Sequence, residues 1–221
     1  LVVCDDSNMA RKQLIRALPA EWPVTITQAT NGQEALAALR QGLGQVMLLD
    51  LTMPVLDGYE TLAAMRAEGL ACKVVVVSGD VQDEAVRRVK ELGALAFIKK
   101  PADPEILRST LLELGLFTPP TTPAATTPVP AQSAVLDELK VNFRDALREV
   151  TNVAMGRAAA LLAKVLGVFV QLPVPQVNIF EVSELHMTLT DAMRGERLSA
   201  VCQGFIGDGI AGEALLLFHD S

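Results

Sequence analysis

Five short apolar runs punctuate the first half of the chain: Leu1–Cys4, Val24–Thr27, Val46–Leu49, Val74–Val77 and Leu95–Ile98. All but Val24–Thr27, where threonines alternate with the apolar residues, are continuously apolar, the pattern of strands covered on both faces. Between them, residues near 8–18, 33–40, 59–67, 82–92 and 103–115 carry apolar positions at helical spacing. This strict alternation over residues 1–117 predicts an α/β domain with a five-stranded parallel sheet and helices on both faces.

The pattern then stops. Residues 118–133 read TPPTTPAATTPVPAQS, with five prolines, five threonines and no charge. Such a stretch buries no core, and it predicts an extended linker of up to ~50 Å at ~3.1 Å per residue. From residue 134 to 221 the sequence predicts a second, α+β domain. Leu136, Leu139, Phe143, Leu147, Val150 and Ala154 form an apolar stripe at spacings of three and four. A break is expected near Gly156, then a second helix over Ala158–Leu166 ending at Gly167. Val168–Leu172 and Val177–Val182 read as strands, and Leu198–Ile206 with Ile210–His219 as a hairpin across Gly207-Asp208-Gly209. A domain ending on a strand leaves an edge uncovered, so the second domain reads as truncated or closed by a partner subunit, for instance in a homodimer.

Charge narrows the function classes. Residues 1–117 hold 12 Lys/Arg against 15 Asp/Glu, and residues 134–221 hold 7 against 11, so neither half offers the basic face that DNA binding requires. The apolar stretch 158–172 is too short and too interrupted for a membrane span. The three cysteines, Cys4, Cys72 and Cys202, are scattered among apolar residues and read as small core residues of a reducing, cytoplasmic compartment.

Polar residues at the strand ends carry the chemistry. Asp5-Asp6, Asp50, Ser78-Gly79 and Lys100 each follow an apolar run, at the edge where parallel α/β folds bind ligands. Taken singly they have plain readings: Asp5, Asp6 or Ser78 as helix caps, Phe97 as core, Lys99 as a solvated lysine. Together, three carboxylates without histidine or thiolate suit a hard divalent cation, and a nearby hydroxyl and lysine suit an incoming phosphoryl group. On the later helix a polar face runs Glu138, Asn142, Asp145, Glu149, Asn152, which is ordinarily a solvated face.

These motifs resemble two known families. Asp5-Asp6, Asp50 with Met53-Pro54 and Asp57-Gly58, Ser78-Gly79 and Phe97-Ile98-Lys99-Lys100-Pro101 resemble the CheY-like receiver domains of two-component response regulators, which are flavodoxin-like. The resemblance implies that a histidine kinase, CheA-like, phosphorylates Asp50. It implies that Asp5, Asp6, Asp50 and the Thr52 backbone carbonyl hold Mg²⁺, that Ser78 and Lys100 contact the phosphoryl group, and that Phe97 is a switch residue. Asp145, Glu149, Asn152 and Pro175 match the spacing of the CheC/CheX/FliY phosphatases, which dephosphorylate CheY-type receivers. That second resemblance implies catalytic Glu149 and Asn152, with Glu149 pairing to a receiver lysine and Asp145 as an edge contact. It also implies a CheY-type phospho-receiver as substrate, and it brings in a CheD-like protein as a candidate partner. A phosphorylation-controlled docking or dimerisation output is the alternative, and a flagellar switch component a more distant one. Whether the substrate receiver is the chain's own Asp50 or another protein's stays open.

Overall fold

A computed structural model describes residues 1–119, 141–177, 198–207 and 210–219. It divides into two compact units, Leu1–Val177 and Asn178–Ser221. The first unit opens with β1 (Val2–Cys4), α1 (Asn8–Ala17), β2 (Thr27–Ala29), α2 (Gly32–Arg40) and β3 (Val46–Leu49). It continues through α3 (Gly58–Glu68), β4 (Lys73–Ser78), α4 (Asp83–Glu91), β5 (Ala96–Lys99) and α5 (Pro104–Glu113). The sheet is wholly parallel in the order β2-β1-β3-β4-β5, the flavodoxin-like winding.

Both faces of the sheet are covered, which is why β1 and β3 are apolar throughout and β4 is apolar between its ends. Val2, Cys4, Met47, Leu49, Val74 and Val76 face Leu36 and Leu39 of α2, Leu62 and Met65 of α3, and Val89 of α4. The alternate residues Val3, Leu48, Val75, Val77 and Ile98 face Leu14 and Ile15 of α1 and Leu107 and Leu111 of α5. β2 lies three residues later than the apolar run at 24–27 predicts. Val24 closes a turn on Trp22, and the ladder to β1 starts only where the Thr27 amide donates to the Leu1 carbonyl. The run's Val24 and Ile26 still pack against the core, but from a connecting segment.

A further helix, α6 (Phe143–Leu166), belongs to this same unit rather than to a separate body from residue 134. Asn142 caps its first turn, its side chain accepting from the Asp145 amide, and Gly167 ends it in the left-handed conformation. The break expected at Gly156 is absent; the helix runs straight through it. Of the strands expected after it, residues 168–172 are irregular and join no sheet. The Gln82 side chain pairs with both the amide and the carbonyl of Val170, so an amide side chain takes the place of a neighbouring strand. The expected strand 177–182, the linker beyond residue 119 and the start of the apolar stripe lie outside the described residues, Val177 excepted.

The stripe itself is inverted relative to expectation. Phe143, Leu147, Val150 and Ala154 are exposed, while Glu149, Asn152, Gly156 and Ala159 form the buried face against the rest of the unit. In the second unit, β6 (Leu198–Gly207) and β7 (Ile210–His219) form the expected antiparallel hairpin, with Gly207 opposite Ile210. Of the cysteines, Cys4 is buried and Cys72 half-buried as expected, but Cys202 is exposed on this hairpin rather than in a core. Among the described residues no helix is long and apolar enough to cross a membrane.

Candidate functional site

Four strand ends converge at the carboxyl edge of the sheet. Asp5 directly follows β1, Asp50 follows β3, Ser78 closes β4 and Lys100 follows β5. All four side chains are buried. The site is shaped by local backbone demands. Asp57 caps α3 in a reciprocal capping box with Glu60. The next residue, Gly58, lies so close to the Asp50 carbonyl that a Cβ there would collide with it. That glycine lets α3 start directly beneath the loop holding Asp50, Leu51 and the half-buried Thr52.

Carboxylate oxygens of Asp5, Asp6 and Asp50 lie within 4.8 Å of one another. The Oδ2 atoms of all three are sealed from solvent, those of Asp5 and Asp50 facing Lys100 and that of Asp6 facing Arg148. Burial raises the carboxyl of Asp6 to about 6, helped by the charge of Asp5 and opposed by Arg148. Burial likewise pushes Asp50 up to about 7, against the pull of Lys100. Three desolvated carboxylates this close together fit a small oxygen-seeking divalent cation, which would offset the cost of their charge.

Each raised acid binds its proton more tightly in the folded state than in the unfolded chain. Stability is therefore fullest below about pH 4 for these groups and falls as pH rises toward 7. Added Mg²⁺ should consequently raise the melting temperature several degrees more at pH 8 than at pH 5, as read by calorimetry; equal shifts at both pH values would contradict the cation site.

Lys100 sits among the acids as the counter-charge. Its Nζ lies 2.7 Å from Asp5 Oδ2, 3.1 Å from Asp50 Oδ2 and 3.3 Å from Glu149 Oε1. Burial opposes its charge, but the three carboxylates outweigh burial and hold its pKa well above the ordinary lysine value. Glu149 comes from α6. Its pKa is raised by burial, with Lys100 acting in the opposite direction.

α6 therefore lies across the strand-end site of its own chain. Both Asp145 carboxylate oxygens accept from the first amides of α1, Asn8 at 3.0 Å and Met9 at 2.6 Å, an anion placed on a helix N-terminus. One turn on, Arg148 Nη1 is 3.1 Å from Asp6 Oδ2, and its Nη2 donates to the Asp6 carbonyl at 2.8 Å. Asn152, three residues beyond Glu149 and 6 % exposed, is on the same buried face. Its backbone reaches the loop after β4, where Gly79 and Gly156 meet. Phe97 on β5 is half-buried against the core, and Lys99 is exposed. Asp5 and Asp6 are not the caps of α1; Ser7 is, its side chain accepting from Ala10.

Sequence reasoning thus located Asp5, Asp6, Asp50, Ser78, Lys100, Asp145, Glu149 and Asn152, and the structure brings these together at one site. It missed Arg148 and Gly156. Gly156 stands seven residues after Glu149, and Arg148 three after Asp145 and four before Asn152, so helical spacing was the available signal.

A parallel sheet carrying an acid trio, a hydroxyl and a lysine at its carboxyl edge defines a phosphoacceptor type of domain. The chain belongs to the response regulator receiver domain family, whose model matches residues 1–112. It is 34 % identical over 121 residues to a protein-glutamate methylesterase/protein-glutamine glutaminase of Halalkalibacterium halodurans, covering 51 % of this chain and 35 % of that protein. It is 32 % identical over 113 residues to the probable transcriptional regulatory protein NarL of Mycobacterium tuberculosis, covering 50 % and 52 %. The chain thus spans between about a third and about half of these relatives' length, and the two carry different names. A solved bacteriophytochrome response regulator shares the fold at a TM-score of 0.50 and 20 % identity, covering 77 % of this chain and 96 % of that one.

Proposed function

We propose that this chain is a response regulator that accepts phosphate on Asp50 from a cytoplasmic histidine kinase, and that α6 speeds removal of that phosphate within the same chain. The observation carrying the reading is the ion pair between Glu149 and the chain's own Lys100, 3.3 Å apart, with Asn152 one turn away on the same face. It is the pairing that the likeness to the CheC/CheX/FliY phosphatases implies, made here in cis. A cleft of about 270 Å³ lined by Met9, Gln13, Pro101, Glu149, Val153 and Arg157, among others, opens beside Glu149 at the edge of the site.

Asp5, Asp6, Asp50 and the Thr52 carbonyl would hold Mg²⁺, which neutralises phosphoryl charge when bound. Ser78 and Lys100 receive the remaining phosphoryl oxygens, and Phe97 follows the movement of Ser78. Hydrolysis joins a water oxygen to phosphorus and breaks the bond from phosphorus to the Asp50 oxygen. It yields the carboxylate and inorganic phosphate, with the water proton leaving on the phosphate. An acyl phosphate is already activated, so the chain mainly orients the water. The Asn152 amide both donates and accepts, and it does so without a change of protonation. Asp145 anchors the helix at the edge of the site.

A second reading has support in the exposed apolar face of α6, where Phe143 is 74 % and Val165 82 % exposed. That face suits a phosphorylation-controlled binding surface without hydrolysis. A mixing experiment separates the readings. Phosphorylated Asn152→Ala chains, incubated with unphosphorylated Asp50→Asn chains carrying an intact α6, should keep their phosphate almost as long as alone. Rapid loss on mixing would show that the helix works between chains, and equal slow loss from wild type would favour the binding surface.

A further inference from the structure

We propose that Gly156 is the positioning residue that seats α6 on the site, through direct backbone contact with the loop after β4. The inference rests on the reading that α6 acts at Asp50, and it adds the feature that decides which receiver surface the helix can engage.

The contact is between two glycines. A Cβ built on Gly156 would overlap the carbonyl of Gly79 and stand 2.9 Å from the Asp80 amide. Nothing flexible lies in the way: all three nearest atoms are backbone, so no side-chain rotation relieves the overlap. On the other side, a Cβ at Gly79 would meet the Cα of Val153 at 3.2 Å and the Asn152 carbonyl at 3.3 Å. That second clash is milder and needs the helix to yield by a few tenths of an ångström. The two positions are therefore unequal: residue 156 tolerates no side chain, whereas residue 79 tolerates at most a small one.

Position explains why this contact governs the site. Gly156 lies four residues beyond Asn152 and seven beyond Glu149, on the same buried face. Gly79 directly follows Ser78. Asp145, eleven residues before Gly156, fixes the other end of the helix on the α1 amides. A helix held at two points about 16 Å apart at ~1.5 Å per residue has its rotation and height set between them, which is where Glu149 and Asn152 stand. Lifting the Gly156 end tilts the helix off the site as one rigid rod, so Asn152 withdraws and the Asp145 contact with the α1 amides opens with it. By the same geometry, a separate receiver able to take this helix carries no more than a small side chain after its own switch hydroxyl.

Glycine is a poor helix former and alanine the best, so Gly156→Ala strengthens the isolated helix while blocking its seat. Loss of function in that variant therefore does not trace to an unfolded helix. The experiment compares the full chain with Gly156→Ala, Gly79→Ala and Asn152→Ala by two readouts. The first is hydrogen exchange at the Asn8 and Met9 amides, which report whether Asp145 is docked. The second is the half-life of phosphate on Asp50. Gly156→Ala should speed exchange at both amides by roughly tenfold or more and lengthen the half-life to that of Asn152→Ala. Gly79→Ala should give intermediate values, and Asn152→Ala should keep the amides protected. Wild-type protection and half-life in Gly156→Ala would overturn the proposal. Lost protection in Gly156→Ala with an unchanged half-life in Asn152→Ala would support the seating contact and overturn the hydrolytic reading instead.

Discussion

Asn152→Ala is expected to prolong the life of phosphate on Asp50 by a factor on the order of 10 to 10², while leaving the rate of phosphate uptake within twofold. The reasoning separates orientation from activation. Uptake depends on the Asp50 carboxylate, the cation site and Lys100, none of which the substitution touches. Loss depends on a water held in line with the scissile bond, and the amide is the neutral group on α6 able to hold it at the buried face. Because Asn152 does not titrate, its contribution should be flat between pH 6 and 9. Decay of radiolabelled phosphate in single turnover checks both statements. Equal half-lives for wild type and variant would remove Asn152 from the reaction.

The second large effect concerns Lys100. Lys100→Met should lower the stability of the metal-free protein by about 3–5 kcal/mol, or roughly 10 °C in melting temperature for a unit of this size. The substitution leaves Asp5, Asp50 and Glu149 buried near one another with their shared counter-charge gone. The deficit has a definite pH dependence. In the variant the carboxyl groups escape repulsion by binding protons, so the loss should be largest above pH 7 and shrink toward pH 5, as the raised acids fill. Adding Glu149→Gln to Lys100→Met should recover part of the loss, because one of the three charges is then absent. Thermal melts of the two variants at pH 5 and pH 8 read this directly; a deficit independent of pH would mean that the ion pairs contribute little.

Much of this was legible in the chain. Val46–Leu49 and Val74–Val77 announce covered strands because both faces of a parallel sheet are packed, and the acids and lysine that follow them fall at the carboxyl edge by topology alone. The register of β2 was less legible. An edge strand with one partner is set by its ladder to β1, not by its own apolar run, and Val24 and Ile26 reach the core from outside the sheet.

α6 was the harder lesson. Its period was plain, but period identifies a helix without saying which face is covered. Here the cover is a pocket of charge, so Glu149, Asn152 and the flanking Asp145 and Arg148 turn inward, while Phe143, Leu147 and Val150 turn out. Gly156 misled for a related reason. In sequence it signals a break, yet its missing side chain serves close approach to Gly79, and tertiary contact overrides local propensity.

The most direct measurement is the first-order decay of phosphate from Asp50 in the full chain with Mg²⁺, followed over a hundredfold range of protein concentration beside Asn152→Ala. A helix acting on its own receiver predicts a wild-type half-life that is short and independent of dilution, well below the variant's at every concentration. Wild-type and variant curves that coincide throughout, or a wild-type half-life that lengthens on dilution to meet the variant's, would contradict it.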